Sequence, residues 1–523
     1  MNIGDIKLSD VLNRLEFDIR INRAVDEFFL ASQLMQEALS YDDVTFVPRF
    51  TNVYPKDVDV SSRFSRNVPL KIPIVSAAMD RVTRYKMGIA MAKEGGLGII
   101  DKSMSPEEQK EEIRRVKYHL NCPIEGPITV KESDTIEEIL DRADERGWSF
   151  RSFPVVNEAG NLVGLLTGND FDLCDDPSQK ACDIMTTGLI TADRTTTPDK
   201  AYRMMVDEGK KVIPVVDGGK IVAMYLLSDV KRTMTESYKA YNVDENGQLR
   251  VGAAIGDGLD ALDRLEVILK AHPDVIVIDT AHASTTNAVR TLREIKAKYP
   301  DLDVVVGNIS SAVQAAELVK YDPDGIKVGQ GPGSICTTRK ITGGGIPQVT
   351  AIYEVYEVAR AKGIPVIADG GIKYSGDIAK AIIAGAHSVM VGMMLAGSEE
   401  APGEIVLSGS RQMKDYRGMG SLAAMRESRQ ARARYQQGEV ADEKLVPEGV
   451  EALVPYTGPI ANTIVQLVGG LRSGMGMAGA ANLEQLRDQV TFRKMTGAGH
   501  LESHVHDVKV VNDPPNYHKP GSS

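Results

Sequence analysis

Eight short, nearly continuous apolar runs restrict the fold of this chain more than any other feature. Two lie early, at 72–79 and 97–100; six lie late, at 251–255, 275–279, 303–307, 325–329, 365–369 and 388–392. Runs this short, without polar alternation, are the mark of strands buried on both faces, as in a parallel sheet covered by helices. Helix-patterned stretches separate most of them, including 86–94 and 106–118, so the repeating unit is strand, helix, strand. Eight such strands predict an α/β fold, a (β/α)8 TIM barrel, whose site forms where strand C-termini meet the loops after them. Ser76, Asp279, Asn308, Gly329, Asp369 and Gly392 fall at those ends.

Between the second and third runs the texture changes. From 123 to 233 the chain holds an internal repeat: the stretch from Phe153-Pro-Val-Val-Asn-Glu-Ala-Gly160 to Thr167-Gly-Asn-Asp170 is echoed by the stretch from Ile213-Pro-Val-Val-Asp-Gly-Gly219 to Ser228-Asp229. Each copy reads as a helix (135–146; 198–209), a strand, a glycine turn and a second strand with a polar end. The expected organisation is 1–122 and 234–523 building one barrel, with 123–233 an inserted α+β module. An amphipathic stretch at 25–39 carries no motif.

With 523 residues and a formal charge of −11, the chain can bury large cores and has no long basic run, so no dedicated nucleic-acid surface is expected. Cys122, Cys174, Cys182 and Cys336 show no metal-binding spacing or disulfide framework. No signal pattern opens the chain and no run reaches the roughly 18 apolar residues of a membrane span. A cytoplasmic, small-molecule protein is expected.

The most specific motif is Gly329-Gln-Gly-Pro-Gly-Ser-Ile-Cys-Thr-Thr-Arg339. Its glycines let the backbone turn sharply after a strand and approach a ligand, and they place Cys336 in an open loop, where a thiol can act as a nucleophile. Asp369-Gly-Gly-Ile372 and Val391-Gly-Met393 fit a barrel phosphate site, which also suits a flavin mononucleotide.

The cysteine motif resembles the active-site loop of the inosine-5′-monophosphate (IMP) dehydrogenase and guanosine-monophosphate (GMP) reductase family. The resemblance extends to Tyr41-Asp-Asp-Val-Thr-Phe-Val-Pro48, to Asp415-Tyr-Arg-Gly-Met-Gly-Ser-Leu422 and to the flap 429–451 with Arg434-Tyr435, while 123–233 resembles a tandem CBS pair. It implies NAD-dependent oxidation of IMP to xanthosine monophosphate through a covalent cysteine thioimidate, the committed step of guanine nucleotide synthesis. The implied catalytic residues are Cys336, Thr338, Arg434 and Tyr435. Implied substrate contacts are Ser76, Met79, Ser334, Asp369, Gly370, Gly371, Gly392, Met393, Tyr416, Arg417, Gly418, Met419, Gly420 and Glu448. Implied cofactor contacts are Asp279, Thr280, Ala281, Asn308, Gly329, Gln330 and Gly331. A potassium site is implied at Gly331, Gly333 and Cys336, completed by Glu502, Ser503 and His504 of a neighbouring chain, and with it a homotetramer or octamer. ATP or GTP is the implied regulator at the CBS pair, with Asp170 and Asp229 as ribose candidates.

Three positions depart from the motif: Ala283 stands for a glycine, Gln330 for a small aliphatic, and Asp101-Lys102 for a His-Lys/Arg pair. The rivals are a GMP reductase, a catalytically inactive nucleotide sensor and a flavoenzyme. Against the reductase, Leu422 stands where that enzyme carries a glutamate.

Overall fold

The computed structural model describes residues 37–120, 122–145, 148, 150–235, 240–512 and 514–517. Most of the stretch predicted at 25–39 lies outside them.

Among these residues eight parallel strands close into a barrel: β1 (Ile74–Ser76), β2 (Leu97–Ile100), β3 (Val251–Ile255), β4 (Val275–Asp279), β5 (Val304–Ile309), β6 (Gly325–Val328), β7 (Val366–Asp369) and β8 (Ser388–Val391). Closure pairs Val389 of β8 with Ile74 of β1. Across the insertion, Val251 of β3 pairs with Gly98 of β2. Each predicted run supplies one strand.

The apolar runs are continuous because both strand faces are buried. Leu97, Ile99, Val275, Val277, Val305 and Ile367 fill the interior over a plug formed by Phe64 and Leu70. Ile276, Ile278, Val304, Val306, Ile326 and Val366 face the helices. Burying each such side chain contributes roughly 1.5–3 kcal/mol. Lys327 breaks the pattern: it is 1 % exposed in β6, between the outward-facing Ile326 and Val328.

The insertion forms two three-stranded sheets. One joins Val130–Lys131, Phe153–Val156 and Leu162–Leu166; the other joins Ile124–Glu125, Lys220–Leu226 and Val212–Asp217. The two repeats exchange edges. Ile124–Glu125, ahead of the first repeat, pairs with Ala223 and Met224 of the second, while Thr186, ahead of the second, pairs with Leu165 of the first. Helix Leu227–Thr235 runs past position 233, so a boundary drawn there cuts a helix. The two junctions are drawn together where Lys117 Nζ, buried at the end of helix Pro106–Lys117, lies 2.8 Å from carboxylate oxygens of both Asp244 and Asp274.

Candidate active site

The cysteine loop leaves β6 and is held from three sides. Asn308 Nδ2 donates to Gly329 O at 2.6 Å, and Arg339 Nε donates to Gln330 O at 2.8 Å. Further along the loop, the main chain pairs with the end of the flap: Thr337 N–H donates to Glu448 O at 3.0 Å and Val450 N–H to Ile335 O at 3.0 Å. Glu448 N–H in turn donates to Gly420 O. Three segments distant in sequence thus enclose Cys336, which is half-buried and faces a cavity above the barrel. Its Sγ lies 3.2 Å from Thr338 Oγ1, and that hydroxyl donates to Glu448 Oε2 at 2.7 Å. Thiol, hydroxyl and carboxylate form a short path for a proton.

On the next side lies the loop after β7. Gly370 and Gly371 have φ of 91° and 84°, a region that excludes most side chains. A Cβ at Gly370 would meet Pro332 of the cysteine loop at 3.1 Å. Beside it, Gly392 approaches so closely that a Cβ would sit 3.0 Å from Tyr416 Oη and 3.3 Å from Met79 Sδ. Burial pushes the Tyr416 phenol up, against a hydrogen bond with Ser334. Met393 begins the short helix Met393–Ala396. This glycine cradle suits the phosphate of a mononucleotide.

Asp369 at the end of β7 accepts from Asn308 Nδ2 at 3.0 Å and pairs with Lys327 Nζ at 2.6 Å. Lys327 also lies 3.0 Å from Asp279 Oδ1 and donates to Asn308 Oδ1. Lys327 is the residue that motif reading missed. Its signal was a lone lysine inside an otherwise apolar strand.

Asp279 is the second hub. It pairs with Lys327 and with Arg434 from the flap, and Lys102 Nζ donates to its main-chain oxygen. Burial pushes the Lys102 ammonium well down, and the neighbouring Arg434 adds to this. The flap contact continues where Ala281 N–H donates to Arg434 O at 3.1 Å. A helical face of three arginines is therefore split: Arg429 is exposed, Arg432 binds the carbonyls of Met425 and Val440, and Arg434 is 14 % exposed over the site. Burial lowers the Arg434 guanidinium from the usual arginine range. Burial likewise pushes Tyr435 up to about 12, partly offset by Arg434. Gly420 lies under the Tyr435 ring, where a Cβ would meet Cζ at 2.7 Å.

Met79, Asp279, Asn308, Gly329, Gly331, Gly333, Cys336, Asp369, Gly370, Tyr416, Gly418, Met419, Arg434, Tyr435 and Glu448 all line this one cavity. Arg434, Tyr435 and Glu448 also line an adjoining outer cleft, with Thr338, Ala281, His282, Ser310, Gln314 and Gln330. The outer cleft and the cysteine cavity therefore share a wall.

Other expected residues are placed differently. Ser76 is fully buried, its hydroxyl accepting from Thr83 at 2.9 Å, and Ala77 to Met79 face the cavity instead. The Arg417 guanidinium is bonded to Asp80 at 2.8 Å and Glu427 at 2.5 Å, leaving its main chain to serve a base. Thr280 turns its hydroxyl to Gly307 O. Ser503 bonds to Gly499 O, and His504 to Tyr517, within their own C-terminal segment. In the insertion, Asp170 Oδ2 accepts from Thr167 N–H and hydroxyl at 2.6 and 2.8 Å as the cap of helix Gly168–Asp172, so one of its two oxygens serves the helix.

The chain is 45 % identical to an inosine-5′-monophosphate dehydrogenase of Aquifex aeolicus over 92 % of its length and 98 % of that protein. To the Escherichia coli K12 protein of that name it is 43 % identical over 93 % and 99 %, and to the Bacillus subtilis one 42 % over 93 % and 99 %. A solved cysteine-to-alanine variant of GMP reductase from Trypanosoma brucei, in complex with guanosine 5′-monophosphate, superposes with a TM-score of 0.80 at 36 % identity, covering 92 % of this chain and all of that one. The family model described as the IMP dehydrogenase / GMP reductase domain matches residues 38–506. With its closed barrel, its cysteine loop and a match of this length, the chain belongs to the IMP dehydrogenase / GMP reductase family.

Proposed function

We propose that this chain oxidises IMP to xanthosine monophosphate, with NAD taking the hydride. The observation that carries this reading is the meeting of Cys336, Glu448, Arg434 and Tyr435 in one cavity beside a glycine cradle, with the Thr338 hydroxyl bridging Cys336 and Glu448. The phosphate would lie among Ser334, Gly371, Gly392, Met393 and Tyr416, the ribose on Asp369, and the purine against Met79 and the main chain at 417–420. The dinucleotide would occupy the outer cleft along Ala281 and Gln330, with Asp279 in the wall of the neighbouring cysteine cavity. When bound there, it supplies the hydride acceptor.

Cys336 Sγ bonds to purine C2 as the C2 hydrogen leaves with its electron pair, giving a thioimidate. Thr338 and Glu448 lie along the path of the thiol proton. Water then adds to C2, the C–S bond breaks, and the sulfur leaves. A guanidinium lowered by burial and held beside a neutral phenol suits Arg434 and Tyr435 to take the water proton. Arg434, which pairs with Asp279, itself lines the cleft assigned to the dinucleotide. The flap and the cofactor therefore use that ground in turn, which separates hydride transfer from hydrolysis.

A second reading, GMP reduction, is favoured by the likeness to the Trypanosoma brucei structure. Leu422, aliphatic where the reductase motif has a glutamate, weighs against it. Incubation with IMP and NAD should form NADH and xanthosine monophosphate. Ammonia release from GMP with a reduced nicotinamide cofactor, and none of the first reaction, would favour the second reading.

The same reading includes a potassium ion on the carbonyls of Gly331, Gly333 and Cys336 with a neighbouring chain's C-terminal segment, hence a homotetramer, two of which could form an octamer. It also includes a cytoplasmic location and ATP or GTP as regulators at the inserted module. Asp170 and Asp229 are the ribose candidates there. Among the described residues no helix is long and apolar enough to cross a membrane.

A further inference from the structure

At the lip of the outer cleft, backbone groups fix the orientation of two glutamine amides. Gln314 Oε1 accepts from the main-chain N–H groups of Ser310 at 2.8 Å and Ser311 at 3.2 Å. Its Nε2 is therefore the end that faces His282 Nδ1, at 3.1 Å. Gln330 Nε2 donates to Ala281 O at 3.2 Å, a carbonyl that can only accept, and lies 3.1 Å from the same Nδ1. Gln330 Oε1 takes the Ser310 hydroxyl at 2.6 Å. Both amides thus present N–H to one ring nitrogen. A nitrogen facing two donors accepts, so the ring proton sits on Nε2.

We propose that Gln330, together with Gln314, is a positioning residue for the dinucleotide. It holds the exposed His282 ring as the neutral Nε2–H tautomer, so that Nε2–H donates to an oxygen acceptor of NAD. The inference rests on the functional reading above. It concerns a position where this loop departs from its motif, since a small aliphatic residue there has no donor to offer His282. The ring is suitably placed because His282, Gln314 and Gln330 line the cleft that adjoins the cysteine cavity at Arg434, Tyr435 and Glu448.

Calorimetric titration of NAD into the Cys336→Ala protein saturated with IMP tests this without turnover. Gln330→Met keeps the side-chain length and removes the amide. Removing one hydrogen bond should raise the Kd for NAD about threefold to tenfold, with IMP affinity held. His282→Ala should raise it similarly, and Gln330→Met should add nothing in the His282→Ala background, because the two act as one unit. Should Gln330→Met lose its native melting transition, Gln314→Met removes the other donor and must show the same dependence on His282. An unchanged Kd in the glutamine variants, or an undiminished rise in the His282→Ala background, overturns the proposal. No NAD binding by the IMP-saturated parent overturns the functional reading and this proposal with it.

Discussion

Lys327 Nζ lies 2.6 Å from Asp369 Oδ2, on a side chain that is 1 % exposed. The same ammonium lies 3.0 Å from Asp279, so a single buried cation ties the carboxylate proposed for the substrate ribose to the carboxylate that receives the flap. Removing one partner from a buried charge cluster leaves the others uncompensated and typically costs about 3–5 kcal/mol. Lys327→Met should lose stability on that scale in urea unfolding, and should bind IMP more weakly because Asp369 loses its anchor. Stability within about 1 kcal/mol of the parent would mean that Asn308, Lys102 and Arg434 already satisfy the two carboxylates.

The pairing of Arg434 with Asp279 separates the two half-reactions. Arg434→Ala should slow hydrolysis by the ~10²–10⁴ typical of acid–base groups while sparing hydride transfer. Rapid-mixing absorbance should show a burst of NADH and then slow turnover. Equal loss in both phases would contradict this division.

The barrel was legible because strands buried on both faces leave a signature that needs no tertiary knowledge, and each of the eight runs became a strand. The cysteine loop was legible for a similar reason, its chemistry lying within one contiguous stretch. What escaped was set by contacts between distant segments. The polarity of Lys327 is explained only by Asp279 and Asp369, each more than forty positions away. The Arg417 guanidinium looks free for a ligand until Asp80 appears beside it, and the exchange of edges in the insertion depends on strand order rather than pattern. Asp170 was the exception: Thr167-x-x-Asp170 has the spacing of a helix cap, a role that the local sequence could have shown.

The edge exchange means that neither repeat completes its sheet alone, while the two junctions of the insertion meet near Lys117 and Asp244. We expect the insertion to be removable as a whole but not by halves. Replacing 123–235 with a short Gly/Ser linker should leave dehydrogenase activity and abolish any response to ATP or GTP. Deleting one repeat should give aggregated protein on size-exclusion chromatography. An insoluble barrel after the full deletion would show that the module belongs to the core.

At the other end of the barrel, His387 Nδ1 accepts from Val366 N–H at 3.2 Å. Burial, then the charges of Arg487 and Arg63, lower this imidazole to about 2. The folded state therefore stays neutral where the unfolded chain takes up a proton, so the contribution to stability is complete above pH ~6.5 and falls as pH drops toward 2. The slope is about 1.4 kcal/mol per pH unit from this group. His387→Asn, which keeps an acceptor for Val366, should flatten the acid side of the melting-temperature profile. An unchanged slope would show that other groups govern acid unfolding.

The central claim is that Cys336 carries the purine, and denaturing mass spectrometry reads it directly. Arg434→Ala protein, mixed with IMP and NAD and quenched after the NADH burst, should gain the mass of one nucleotide on the peptide containing Cys336. The Cys336→Ala protein should gain none and form no NADH. Turnover retained by Cys336→Ala, or a nucleotide found on a different residue, would contradict the account.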